Sequence, residues 1–135
     1  MSFLDISLFL SVLFCTLATG FILTYAIVVM PGLSKLDDKA FIKAFQVTDR
    51  IIQNNQPIFI LIWLGSIISV FITIIVSIIS LGILEAWLII FTSVVYLLGV
   101  QVITITIHLP LNRHIQKIDI NSTNPHTLND ERKNF

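Results

Sequence analysis

Three intervals of the chain contain no Asp, Glu, Lys or Arg: Asp5 to Lys35, Arg50 to Glu85, and Glu85 to Arg113. Each exceeds the roughly 20 apolar residues that a helix needs to cross hydrocarbon. Inside lipid every backbone N–H and C=O must be satisfied within the protein, which leaves helices and closed barrels. Runs this long and this continuously apolar lack the alternation of barrel strands. The expectation is an all-α membrane protein with spans near 6–30, 58–82 and 86–108. Composition agrees, with 12% charged residues against about 25% in soluble domains. The first run is read as a retained span, because its leading residues hold Asp5 and no base, and no small-residue cleavage site follows.

Charge placement says more than the net charge of zero, which gives a nucleic-acid role no electrostatic basis. All eight bases follow the first run (Lys35, Lys39, Lys43, Arg50) or the third (Arg113, Lys117, Arg132, Lys133). By the positive-inside bias, the 31–55 connection and the C-terminal tail face the cytoplasm, while the amino terminus and Glu85 face out. Membrane lipid is therefore an expected partner. The single cysteine, Cys15, can form no internal disulfide.

Pro31-Gly32 is expected to close the first span, since proline breaks the helical ladder and glycine accepts a turn. Next comes an amphipathic helix near 37–54. Its apolar side carries Phe41, Ala44, Phe45, Thr48, Ile51 and Ile52, and the opposite side carries Lys39, Lys43, Gln46, Arg50 and Gln53. Asp37 or Asp38 is placed to cap its start, and Pro57 to mark its junction with the second span. The predicted division is a helical bundle over 1–118 and a flexible polar tail over 119–135, where apolar periodicity is nearly lost.

Within the spans, Thr16, Gly20 and Thr24 form one small-residue stripe, and Ser66, Ser69, Thr73 and Ser77 another. Such stripes let helices approach closely, within the chain, against a second copy, or against a partner membrane protein. The third span is richer: Gln101, Thr104 and His108 stand at i, i+3 and i+7 on one face, with Tyr96 about two turns away. Polar groups at this depth are costly without a partner. Either His108 is solvated among headgroups, or it edges a polar pocket. Gln46, Asp49 and Gln53 share a side of the amphipathic helix, in the leaflet that would also hold His108 and Asn112, which is the convergence a pocket needs. No metal or haem is expected, because His108 and His114 are six residues apart across Pro110 and no Cys or carboxylate cluster accompanies them. No span carries the buried charge of an ion carrier.

Pro31-Gly32-Leu33, the polar step from Gln46 to Asn54, and Thr104 followed by Pro110-Leu111-Asn112 together resemble the anthrone oxygenase-like family of small integral membrane proteins. The resemblance runs from about Gly20 to Arg113. It implies a four-helix membrane bundle, so three spans and an amphipathic helix would be that bundle lacking its last span, completed by further chain or by a partner. For the fungal members it implies oxidation of an anthrone to an anthraquinone by O2 without metal or flavin. Carried over, Gln46, Asn54, Thr104 and Asn112 would line the substrate pocket, and His108 stands where the family commonly has asparagine. A lipophilic phenolic or quinol-like substrate is acidic enough for a positioned base, His108 or a desolvated Asp49, to form an anion that reacts with oxygen. Gln46, Asn112 and Thr104 would then bind the developing oxyanion, with Gln101 lining the same pocket. The competing expectation is a non-enzymatic subunit that packs with itself or with another membrane protein.

Overall fold

A computed structural model describes all 135 residues. The chain is all-α. Helix α1 runs Phe3–Leu33, α2 Asp38–Gln53, α3 Pro57–Leu81, α4 Trp87–Gln116 and α5 Pro125–Asn134. The helices α1, α3 and α4 are long and apolar enough to cross a membrane.

Neither proline ends its helix. α1 passes through Pro31 and Gly32 to Leu33, so the expected close at Pro31-Gly32 comes within the helix, and α4 passes through Pro110 to Gln116. The reason is visible just upstream. A proline lacks an N–H and its ring collides with the carbonyl four residues back. Here those carbonyls, of Ile27 and Thr106, lie in π-helical segments, Tyr25–Val29 and Thr104–His108. The Met30 N–H reaches back five residues to the Tyr25 carbonyl, a wider turn that makes room for the ring. A third π segment, Leu97–Val102, has no proline immediately after it and contains Gln101.

By its contacts the chain divides into two compact units, Met1–Phe21 with Pro57–Thr104, and Ile22–Gln56 with Ile105–Phe135. In the first unit the serine stripe of α3 is the packing surface: Ser66, Ser69, Thr73 and Ser77 are all buried, as are Ser7, Ser11 and Ala18 of α1. Thr73 Oγ1 donates to the Ser7 carbonyl at 2.9 Å, so the Ser11 hydroxyl donates to Thr73 at 2.7 Å. These bonds join two helices in surroundings where hydroxyls otherwise bond back to their own backbone. Gly65 admits the Phe14 ring, whose Cδ1 and Cε1 would lie 2.9 Å from an added Cβ. By contrast Thr16, Gly20 and Thr24 lie on the exposed side of α1.

Between α3 and α4, Gly82 adopts φ 81° and accepts the Ala86 N–H at 3.0 Å. A Cβ there meets open space, so Gly82→Ala is expected to cost about 1–2 kcal/mol from backbone conformation alone. Thermal unfolding of the two proteins in one detergent measures it.

The second unit has a core of Phe41, Ile42, Phe45, Ile115 and Leu128. Asp37 caps α2, its Oδ1 accepting the Ala40 N–H at 2.8 Å. At the other end Asn55 takes φ 60°, a left-handed conformation that Asn tolerates better than most residues. The inward face of α2 is Phe41, Ile42, Phe45, Gln46 and Asp49, which corrects the expected apolar side. Ile51 points outward, and Gln46, assigned to the polar side, points in.

The segment read as a flexible tail also requires correction. Residues Pro125–Asn134 form α5, with Asn124 as its cap, and Leu128 is buried. Phe135 packs edge-on against Phe45, with ring centroids 4.5 Å apart. Arg132 donates to Asp38 Oδ1 at 2.9 Å and to the Leu36 carbonyl at 2.8 Å, and it covers the Phe41 ring. A short helix of mixed charge shows little periodicity, yet a few anchors suffice to dock it. The bond from Asn129, then the bond from Arg132, hold the Asp38 carboxyl below its ordinary value. That contribution is full above the unfolded-state value, about 4, and is lost as pH falls through the lower folded-state value. Acid below about pH 4 is expected to loosen α5 before the remaining helices, as amide hydrogen exchange along 125–134 would show.

Candidate functional site

Two buried polar clusters, one in each unit, contain the residues singled out from sequence. In the second unit α2 and the end of α4 are fastened through side-chain amides. Asp49, 2% exposed, accepts from Asn112 Nδ2 at 3.0 Å, from Gln116 Nε2 at 3.1 Å and from Gln53 Nε2. Gln46 Nε2 donates to the carbonyls of Ile115 at 2.8 Å and Ile118 at 2.9 Å, and Gln116 Nε2 returns a bond to the Gln46 carbonyl at 2.9 Å. A carboxylate offers about four acceptor positions, and three are filled by neutral amides. The one Arg–carboxylate ion pair lies elsewhere, at Arg132–Asp38, and His114 and His126 contact Glu131 and Asp130. Burial without a cation is tolerable because fixed amide dipoles replace water.

The convergence of Gln46, Asp49 and Asn112 is thus present. The cluster is closed by the chain's own amides, an arrangement that holds two helices together. Gln116, which completes it, drew no attention in the sequence, although it lies one turn beyond Asn112 on the same face. Asn54 does not join: it is exposed, caps the end of α2, and its N–H bonds the Arg50 carbonyl at 2.9 Å. His108 does not join either. It is exposed.

The other cluster surrounds Gln101 in the first unit. Gln101 is 4% exposed, and its Nε2 donates to the Tyr96 hydroxyl at 2.8 Å and more weakly to Ser66 Oγ at 3.3 Å. Ser66 Oγ in turn donates to the Trp63 carbonyl at 2.7 Å, and the Cys15 thiol sits against the Tyr96 hydroxyl. Residues five apart point about 140° away from each other around an α-helix. The wider turn of the Leu97–Val102 π segment rotates Tyr96 and Gln101 toward one another, a contact that counting at helical spacing misses. Thr104 lies in this unit as well, its hydroxyl bonded to the Val100 carbonyl at 2.7 Å.

One atom in this cluster is left over. Gln101 Oε1 is buried and has no hydrogen-bond partner. Exchanging the amide oxygen and nitrogen would let the carbonyl oxygen accept from Tyr96, the Ser66 proton being given to the Trp63 carbonyl, but would leave two N–H groups unpartnered in its place. In either orientation half of a buried amide is unsatisfied, at about 1–3 kcal/mol.

Fold and clusters define an all-α protein with three helices able to cross a membrane, each unit pinned by hydroxyl or amide side chains. Compared with known proteins, the chain matches no family model, no curated sequence and no solved structure.

Proposed function

We propose that the chain is an integral membrane protein that binds a lipophilic phenolic or quinol-like compound, whose hydroxyl donates to Gln101 Oε1. The observation that carries this reading is that buried acceptor without a partner, beside the Tyr96 and Ser66 hydroxyls. A ligand that supplies the missing donor relieves the cost of the unmade bond, and its apolar body replaces lipid. In this reading the amino terminus and Glu85 lie outside, with the 31–55 connection and the C-terminal segment in the cytoplasm, as the distribution of bases favours. The resemblance to the anthrone oxygenase-like family extends binding to cofactor-independent oxidation, in which anthrone and O2 give anthraquinone and water.

Binding and chemistry are tested separately. In detergent, 1-naphthol is expected to raise the unfolding midpoint, while its methyl ether, of similar shape without the O–H, leaves it unmoved. Gln101→Leu should abolish the shift, yet be neutral or stabilising by itself, because it removes a half-satisfied polar group. Equal shifts with phenol and ether would overturn the assignment. Oxygen uptake with anthrone in membranes, compared with His108→Ala and Asp49→Asn, tests the oxidation. Rates unchanged in both variants would remove these two side chains from that chemistry.

A second reading, a subunit that packs with itself or a partner, draws on the small share of α4 that the chain itself covers, 6% of its most apolar window. It predicts a cross-linked species of defined size in membranes, unaffected by Gln101→Leu.

A further inference from the structure

The acidic side chains of the second unit are engaged inside it. Asp37 caps α2, Asp38 holds Arg132, Asp49 holds the amides, Asp119 accepts the Asn121 N–H, and Asp130 and Glu131 meet His126 and His114. Of the eight Lys and Arg residues, all in this unit, Arg132 alone is ion-paired. The other seven bases form no ion pair, and three of them lie on one face of α2. Lys39, Lys43, Val47, Arg50 and Ile51 fall at i, i+4, i+8, i+11 and i+12, a single stripe opposite the buried face. Val47 is 58% exposed and Ile51 60%, so two apolar side chains stand among three bases.

We propose that this face of α2 docks on anionic phospholipid headgroups, with Lys39, Lys43 and Arg50 on the phosphates and Val47 and Ile51 dipping into the acyl boundary. Charge complementarity argues for it, since an anionic surface is what the unengaged bases lack. The apolar pair argues for lipid over an acidic protein or nucleic acid, because bases interleaved with aliphatic side chains along one helix are the pattern of interfacial insertion. Each base near such a surface adds to the attraction, and the attraction falls with salt. α2 begins five residues beyond the end of the membrane-length helix α1. The inference is independent of any ligand at Gln101.

The test places the full chain in nanodiscs of phosphatidylcholine alone, or with added phosphatidylglycerol. Val47→Cys, in a Cys15→Ser background, carries a fluorescent label whose quenching by aqueous iodide is measured. Quenching is expected to fall several-fold in the anionic discs. Raising salt from about 50 to about 500 mM should reverse the fall as the screening length shortens, and so should the triple change Lys39→Gln, Lys43→Gln and Arg50→Gln. The salt arm uses unaltered bases, so it stands even if the triple variant folds poorly. Equal quenching in the two lipids, or protection that persists in the triple variant at low salt, overturns the proposal and leaves the face to an acidic protein.

Discussion

Phe45→Ala is expected to lower stability by about 3–5 kcal/mol, the usual loss when a buried aromatic ring is truncated in a packed core. Phe45 is buried on α2, packs edge-on against Tyr25 at 6.4 Å, and takes the ring of Phe135 at 4.5 Å. One substitution therefore removes a contact that both the end of α1 and the C-terminal segment make with α2. Equilibrium unfolding followed by circular dichroism checks the magnitude. Hydrogen exchange should show protection lost first along α5. A loss below about 1 kcal/mol would mean that Phe135 does not occupy this core in the folded protein.

Asp49→Ala is expected to cost about 2–4 kcal/mol. It leaves the amides of Asn112, Gln116 and Gln53 without their acceptor, and each unmade bond to a buried donor costs about 1–3 kcal/mol, part of which the half-buried amides recover from water. Asp49→Asn should keep most of the loss. Whichever way the new amide turns, its nitrogen faces a donor that previously met an oxygen. Replacing the acceptor and the donors together by apolar groups of similar shape should restore part of the stability. Unfolding of these variants in one detergent separates a bonded clamp from an incidental buried carboxylate, which would show no difference between alanine and asparagine.

The helices were legible because charge-free intervals of this length permit almost nothing else, and the cap at Asp37 because an acceptor before an amphipathic run has one obvious use. Gln46, Asp49 and Asn112 were legible as a convergence because the placement of the bases put the end of the third span and the amphipathic helix in the same leaflet. The partners that complete their bonds were not, since which amide meets which oxygen depends on the approach of two helices far apart in sequence. Pro31 misled for a local reason: a π turn absorbs the clash, and the helix continues to Leu33. α5 was missed because its docking rests on a few particular contacts, those of Arg132, Leu128 and Phe135, and not on a repeating pattern. Tyr96 was placed about two turns away from the polar face of the third span, and its contact with Gln101 needs a rotation that regular helical geometry does not give.

That rotation carries a mechanical consequence. A π turn is an α-helix holding one surplus residue, so deleting a single residue within Leu97–Val102 would return α4 to regular phase. Tyr96 and Gln101 would then stand four apart and about 40° from each other around a regular helix, so the pair would stay on one face. The π turn thus does for a pair five apart what a regular turn does for a pair four apart, and the surplus residue can be carried at the polar centre of the first unit without parting it.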